Sequence, residues 1–148
     1  MANGDPYDLE RFVEAQHGVF EQACAELRRG RKTGHWIWFI FPQIAGLGFS
    51  AMSQRYSIQS LDEARAYLAH SVLGPHLREI CGIVNGIEGK SAHEIFGSPD
   101  DMKLRSSMTL FAYATEDNAM FLEVLRKYFG GAEDERTLEL IGKRDFES

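Results

Sequence analysis

Positions 36 to 41 read Trp-Ile-Trp-Phe-Ile-Phe, with no polar residue among them. A half-buried strand alternates with period two, and a surface helix shows one apolar stripe with period near 3.6. A run that is apolar at every position fits neither and belongs where protein surrounds it, so the rest of the chain must be built around it. Both tryptophans lie in it, with Phe39 and Phe41, and aromatic side chains dominate core energetics. Polar residues fence the run: Lys32, Thr33 and His35 before it, Gln43 after it. A basic stretch, Arg28, Arg29, Arg31 and Lys32, leads in. The run is either the plain centre of a core or a core segment whose polar ends line a ligand pocket.

A length of 148 residues suits one domain able to bury a real core. The expectation is a single domain over 1–148, with a helical core of about 8–141 and frayed termini. The net charge of -6 argues against nucleic-acid binding through bulk positive charge. Cys24 and Cys81 sit in apolar helical patterns without a CxxC, so they read as small buried hydrophobes of a reducing compartment. The first eight residues are polar and carry no secretory signal, and the longest apolar run is far below the ~20 residues of a membrane helix. A soluble cytoplasmic protein, without membrane or nucleic-acid partners and monomeric or weakly dimeric, is expected.

Asp8 is a plausible cap for a helix whose apolar stripe (Leu9, Phe12, Val13, Gln16, Val19, Phe20, Ala23, Cys24, Leu27) runs about five turns to Arg29-Gly30. Pro42 to Ser50 is a loop, and Ala51 to Ile58 a short helical turn ending in an extended piece. Ser60 to Glu63 and Ser91 to Glu94 have the spacing of capping boxes. Pro75 is tolerated early in a helix through Leu77, Ile80, Cys81 and Val84. Ser98-Pro99-Asp100-Asp101 reads as a hydroxyl cap, a proline at the first helical position and acids at the positive end. In the helix that follows, Lys103, Ser106, Ser107 and Leu110 share one face, and Leu104, Met108 and Phe111 another. Asp117 caps a helix that stops at Gly130-Gly131, and a last one spans about Asp134 to Lys143. The prediction is an all-α fold, one compact domain of six or seven helices around the central aromatic segment.

Several of these strings resemble one known family. They are Gly30-Arg31-Lys32-x-x-His35 through Gln43, Arg55-Tyr56, Ala64-Arg65-Ala66-Tyr67-Leu68, Leu73-Gly74, and Ile95-Phe96-Gly97-Ser98-Pro99-Asp100-Asp101-x-Lys103-Leu104-x-Ser106 through Phe111. Together they resemble the bacterial domain-of-unknown-function family 1810, also called Rv1873-like, over roughly Asp8 to Leu140. The resemblance implies a mostly α-helical fold and no established reaction. Some relatives carry a calpastatin label, which implies protease inhibition, but nothing here resembles calpastatin's disordered repeats. A more distant similarity to the YbiA-like superfamily implies ADP-ribose-type N-glycosides as ligands. None of that superfamily's catalytic residues maps onto a motif of this chain.

Three polar groups flank apolar segments: Lys32, His35 and Gln43; Gln54, Arg55 and Ser57; and Asp100, Lys103, Arg105, Ser106, Ser107 and Thr109. Brought into one cleft, they suit a nucleotide-like or phosphorylated small molecule. Lys32, Arg55 or Lys103 would hold an anion, Trp36 or Trp38 would stack a ring, and Gln43 and Ser107 would complete the lining. His35 and Asp100 are the candidate acid–base residues. Each also has a structural role open to it: Asp100 as the acid at a helix start, the hydroxyls bonded to helix backbone, Lys103 in an ion pair. GxGxxG, Walker, GxSxG and HExxH patterns are absent, so neither cofactor nor metal is called for. The alternative from a different class is a protein-interaction module without catalytic activity, marked by an exposed apolar patch rather than a polar cleft.

Overall fold

The long stripe of the first segment forms two helices, not one: α1, Glu10–Gln16, and α2, Phe20–Arg28. They part where His17 is extended and Gly18 takes a φ of 78°, a left-handed setting open to glycine without steric cost. The cap also differs from the expected Asp8. Asp5 accepts the backbone N–H groups of Leu9 and Glu10 at 2.7 and 2.9 Å, while Asp8 lies at φ 54° between them.

The computed structural model describes residues 4–143. The expected frayed termini fall on 1–3 and 144–148, outside the described residues. The aromatic run is a single helical turn, α3, Ile37–Ile40, set between α1 and the long α8, Asp100–Ala114. Trp36, Ile37, Ile40 and Phe41 are almost fully buried, and Phe96 meets Phe41 edge-on at 5.9 Å. After the 42–50 loop come α4, Ala51–Arg55, and an extended piece in which Ile58 bridges Ile44 in parallel. Ile58 donates to the Gln43 carbonyl and Ala45 donates to that of Ile58, both at 2.8 Å, which ties the two ends of the loop together. No strand forms among the described residues.

The remaining helices are α5, Leu61–Ala69; α6, Leu73–Asn85; α7, Ala92–Phe96; α9, Ala119–Phe129; and α10, Glu135–Leu140. Ten helices among the described residues exceed the six or seven expected, because the first splits and α3, α4 and α7 are single turns. The mainly helical class is as expected. The Ser91–Glu94 box closes in both directions, but at Ser60 only half does. Ser60 accepts from Glu63 N–H, while the Glu63 carboxylate takes Gln59 N–H and the Arg11 guanidinium. Neither Ser98 nor Asp117 caps; Pro99 and Asn118 hold those positions without side-chain bonds. Gly130 at φ 63° ends α9, as the sequence implies, and the last helix is shorter than the expected Asp134 to Lys143, with Asp134 as its cap through Thr137 N–H.

The centre of the molecule is α8 rather than the aromatic turn. It contacts α3, α5, α7, α9 and α10 and is buried from Ser106 through Ala112. Over that stretch the helix has no polar face to show, so its two expected faces are both interior there, while Lys103 before it reaches the surface. Cys24 and Cys81 are free and buried. No helix among the described residues is long and apolar enough to cross a membrane.

Candidate functional site

The site begins with a buried acid. Glu26, on α2, is 2% exposed, and one of its oxygens accepts Thr33 N–H, Gly34 N–H and Trp36 Nε1–H at 2.8 to 2.9 Å. Its other oxygen takes the Gln22 amide at 2.9 Å. Burial alone would raise its pKa, but these four hydrogen bonds outweigh burial and hold it down at about 2. The carboxylate thereby fixes the chain leading into the aromatic turn and consumes the indole N–H of Trp36.

Lys32 is fixed by the same turn. Its backbone donates to Ile95, its ammonium sits 4.9 Å from the centre of the Trp36 ring, and it pairs with Asp100 at 2.7 Å. The other oxygen of Asp100, at the start of α8, is 3.6 Å from Lys103, one helical turn on. Lys103 in turn lies 5.2 Å from the centre of the Trp38 ring. A lysine–carboxylate–lysine chain thus runs between the two tryptophans, with one ammonium over each ring.

Beside Trp38 the surface opens into a cleft of two adjoining chambers. The larger, about 300 Å³, lies between Trp38, Gln43, Tyr56, Gln59 and the Gly46–Phe49 loop. The smaller, about 230 Å³, shares Gln43, Leu47, Gly48 and Ser53 with it and adds Met102, Lys103, Ser106 and Asp134. The Gln43 amide donates to Ser106 Oγ, which donates to the Lys103 carbonyl at 3.1 Å, so this wall is pre-positioned. The loop passes tightly over the start of α4: a Cβ on Gly48 would fall 2.5 Å from Ser53 Oγ. Two buried polar atoms have no protein partner, Trp38 Nε1 and Ser107 Oγ, and Ser107, predicted to line the site, is fully buried and lines neither chamber. Ser107 is on the same helical face as Lys103, four residues on.

The predicted residues therefore divide. Trp38, Gln43 and Lys103 line the cleft, and Lys32 and Asp100 stand behind Lys103. Trp36 is buried away from it, its N–H spent on Glu26. His35 is exposed and lines neither chamber. Arg55 is exposed and lines neither chamber; it lies in an adjoining groove with Arg11 and Glu63 that shares Gln54 and Gln59 with the larger chamber, and its Nε donates to Tyr56 OH at 3.2 Å. Arg105 and Thr109 hold the 132–134 turn, through the carbonyls of Ala132 and Glu133 and the N–H of Asp134.

Sequence reasoning missed Glu26 and Tyr56. An acid flanked by Ala23, Cys24 and Leu27 in an apolar stripe was the available signal for the first; the second stood in the Arg55-Tyr56 string of the family resemblance without a site role. Also missed was a buried network in which Gln16 donates to the Phe39 carbonyl and Tyr67 OH and faces His76 Nδ1 at 2.7 Å. Among the described residues no group of three His, Cys, Asp or Glu is placed to hold a metal ion.

Residues 6–141 match the family described as "Protein of unknown function (DUF1810)". Among solved structures, the crystal structure of the conserved hypothetical protein Rv1873 from Mycobacterium tuberculosis is similar, at 57% identity and a TM-score of 0.92. The match covers 93% of this chain and 99% of that one. No curated protein matches.

Proposed function

The chain belongs to the DUF1810 family of unknown function, and on that premise we propose that it binds a nucleotide-like or otherwise phosphorylated small molecule in the cleft beside Trp38. The observation that carries the reading is Lys103. It presents an ammonium over an aromatic ring at the cleft wall, and its carboxylate partner, Asp100, already has a closer lysine at 2.7 Å. A cation beside a ring face is suited to an anionic group attached to a heterocycle. The indole N–H of Trp38, a residue of the cleft wall, adds hydrogen-bonding capacity that the fold itself leaves unused.

The reading is one of binding. Asp100 is engaged by two ammonium groups and His35 lies outside both chambers, so neither is assigned a proton-transfer role. ADP-ribose and related N-glycosides belong to the ligand class to be tested. The working state is taken to be a monomer or weak homodimer in the cytoplasm, a reducing compartment that suits two free buried cysteines.

One observation favours the alternative, a protein-interaction module without catalytic activity. Phe49 and Met102, 86% and 45% exposed, are at the lip of the cleft, and Leu140 packs under Gly46 of the same loop. A thermal-shift screen against nucleotides, NAD, ADP-ribose, nucleosides and sugar phosphates separates the two. A ligand at a hundred times its dissociation constant stabilises the fold by about 2.7 kcal/mol, a melting shift of several degrees. Silence across the panel removes the small-molecule reading and favours the docking surface.

A further inference from the structure

The two chambers differ in charge. The larger presents amides from Gln43, Gln54 and Gln59, hydroxyls from Tyr56 and Ser57, and the Trp38 ring; no acidic or basic side chain lines it. Such a wall can pair the donors and acceptors of a neutral ring, and it supplies no opposite charge for an ionised group. The smaller chamber is lined by one cation, Lys103, and one carboxylate, Asp134.

These two charges differ in what they can still do. Asp134 commits one oxygen to the N–H and hydroxyl of Thr137, at 2.9 and 2.6 Å. Lys103 can turn from Asp100 to a ligand, because Lys32 keeps that carboxylate paired. Lys32 cannot follow. It is 7% exposed and held by Asp100, the Gly34 carbonyl and the Trp36 ring. The lining of the smaller chamber therefore offers one available positive charge, Lys103, and the Asp134 carboxylate in the same lining opposes each further negative charge that a ligand brings.

Resting on the binding reading above, we infer that the ligand is a neutral heterocycle carrying a single phosphate monoester: a nucleoside monophosphate, ring in the amide-lined chamber and phosphate on Lys103. A diphosphate would set its second phosphate against Asp134 or against the uncharged wall. The adjoining chambers, about 300 and 230 Å³, together lie within the range of small-molecule pockets, which starts at roughly 300 Å³.

Isothermal titration calorimetry tests this with the intact chain and four series: adenosine, guanosine, cytidine and uridine, each as nucleoside, monophosphate and diphosphate, with ADP-ribose alongside. For at least one base the monophosphate should bind at least tenfold more tightly than its nucleoside, and the diphosphate no more tightly than the monophosphate. Lys103→Met should erase the difference between monophosphate and nucleoside, and Lys103→Arg should keep most of it. A diphosphate or ADP-ribose that binds more tightly than the monophosphate, or a nucleoside that binds equally well, overturns the inference and leaves the binding reading standing. Absence of binding by every compound overturns the inference, and with silence of NAD and the sugar phosphates in the thermal-shift screen it overturns the binding reading as well. The wild-type comparison decides the matter even if Lys103→Met fails to fold.

Discussion

Trp36 and Trp38 are two residues apart, yet their indole N–H groups meet opposite fates. That of Trp36 is bonded to Glu26 at 2.9 Å, while that of Trp38 is buried without any protein acceptor. Replacement by phenylalanine should separate them. Trp36→Phe takes a donor from a buried carboxylate and should cost about 1–3 kcal/mol. Trp38→Phe removes an unmet donor, so its cost should stay under about 1 kcal/mol. Urea unfolding of both variants measures the difference; equal losses would contradict the assigned environments.

Glu26 makes stability depend on acid. Unfolded, it titrates near its ordinary 4.5; folded, near about 2. Between those values the unfolded chain binds a proton that the folded chain does not. Its contribution is therefore complete above pH 4.5 and is lost as pH falls toward 2, about 3 kcal/mol in all. Glu26→Gln should destabilise the protein at neutral pH and flatten that part of the stability curve. A curve of unchanged slope would argue against the four-bond carboxylate.

His76 acts in a higher window. It stacks on Phe20 at 3.7 Å, and burial pushes its pKa below the usual 6.5, partly offset by Glu79 and Glu21. The Gln16 amide nitrogen is committed to Phe39 and Tyr67, so its oxygen accepts from Nδ1–H of His76. The neutral ring is favoured in the fold. The associated stability is present above pH 6.5 and lost as pH falls through the lowered folded value. An NMR titration of the His76 ring should give a midpoint below 6.5, and a midpoint above it would reverse the sign.

Two glycines of α6 should respond oppositely to alanine. Gly82 is exposed in mid-helix, and a Cβ there would touch nothing within 4 Å. Gly82→Ala should stabilise by about 1 kcal/mol, raising the melting temperature by roughly 2–4 °C. At Gly74 the Cβ would collide with the Leu68 carbonyl oxygen, where α5 ends against α6. Gly74→Ala should cost about 1–3 kcal/mol. Thermal melts of the two variants check both signs.

Much of this fold was legible where local chemistry governs it. The Ser91–Glu94 box and the stop at Gly130 depend on contacts within a few residues. The break at His17–Val19 was not legible, because the apolar stripe continues in phase across it and only Gly18 hints at a turn. Nor was α3: four residues show no helical period, so a buried turn and a buried strand look alike. Glu26 escaped because an acid on a helix is ordinarily solvated, and only the returning 33–36 segment buries it. At the candidate site, sequence assigned Gln43 to the aromatic run and Ser106 and Lys103 to a helix sixty residues later. Tertiary packing alone joins them, and packing alone puts Arg55 in the adjoining groove, bonded to Tyr56 OH.

The most direct test of the cleft uses the two indole N–H resonances in a proton–nitrogen NMR spectrum, during titration with the monophosphate selected by calorimetry. The account predicts that the Trp38 signal and the Gln43 side-chain amide shift with a common saturation curve while the Trp36 signal, locked on Glu26, stays in place. Binding that leaves Trp38 and Gln43 unmoved would contradict a ligand site in this cleft.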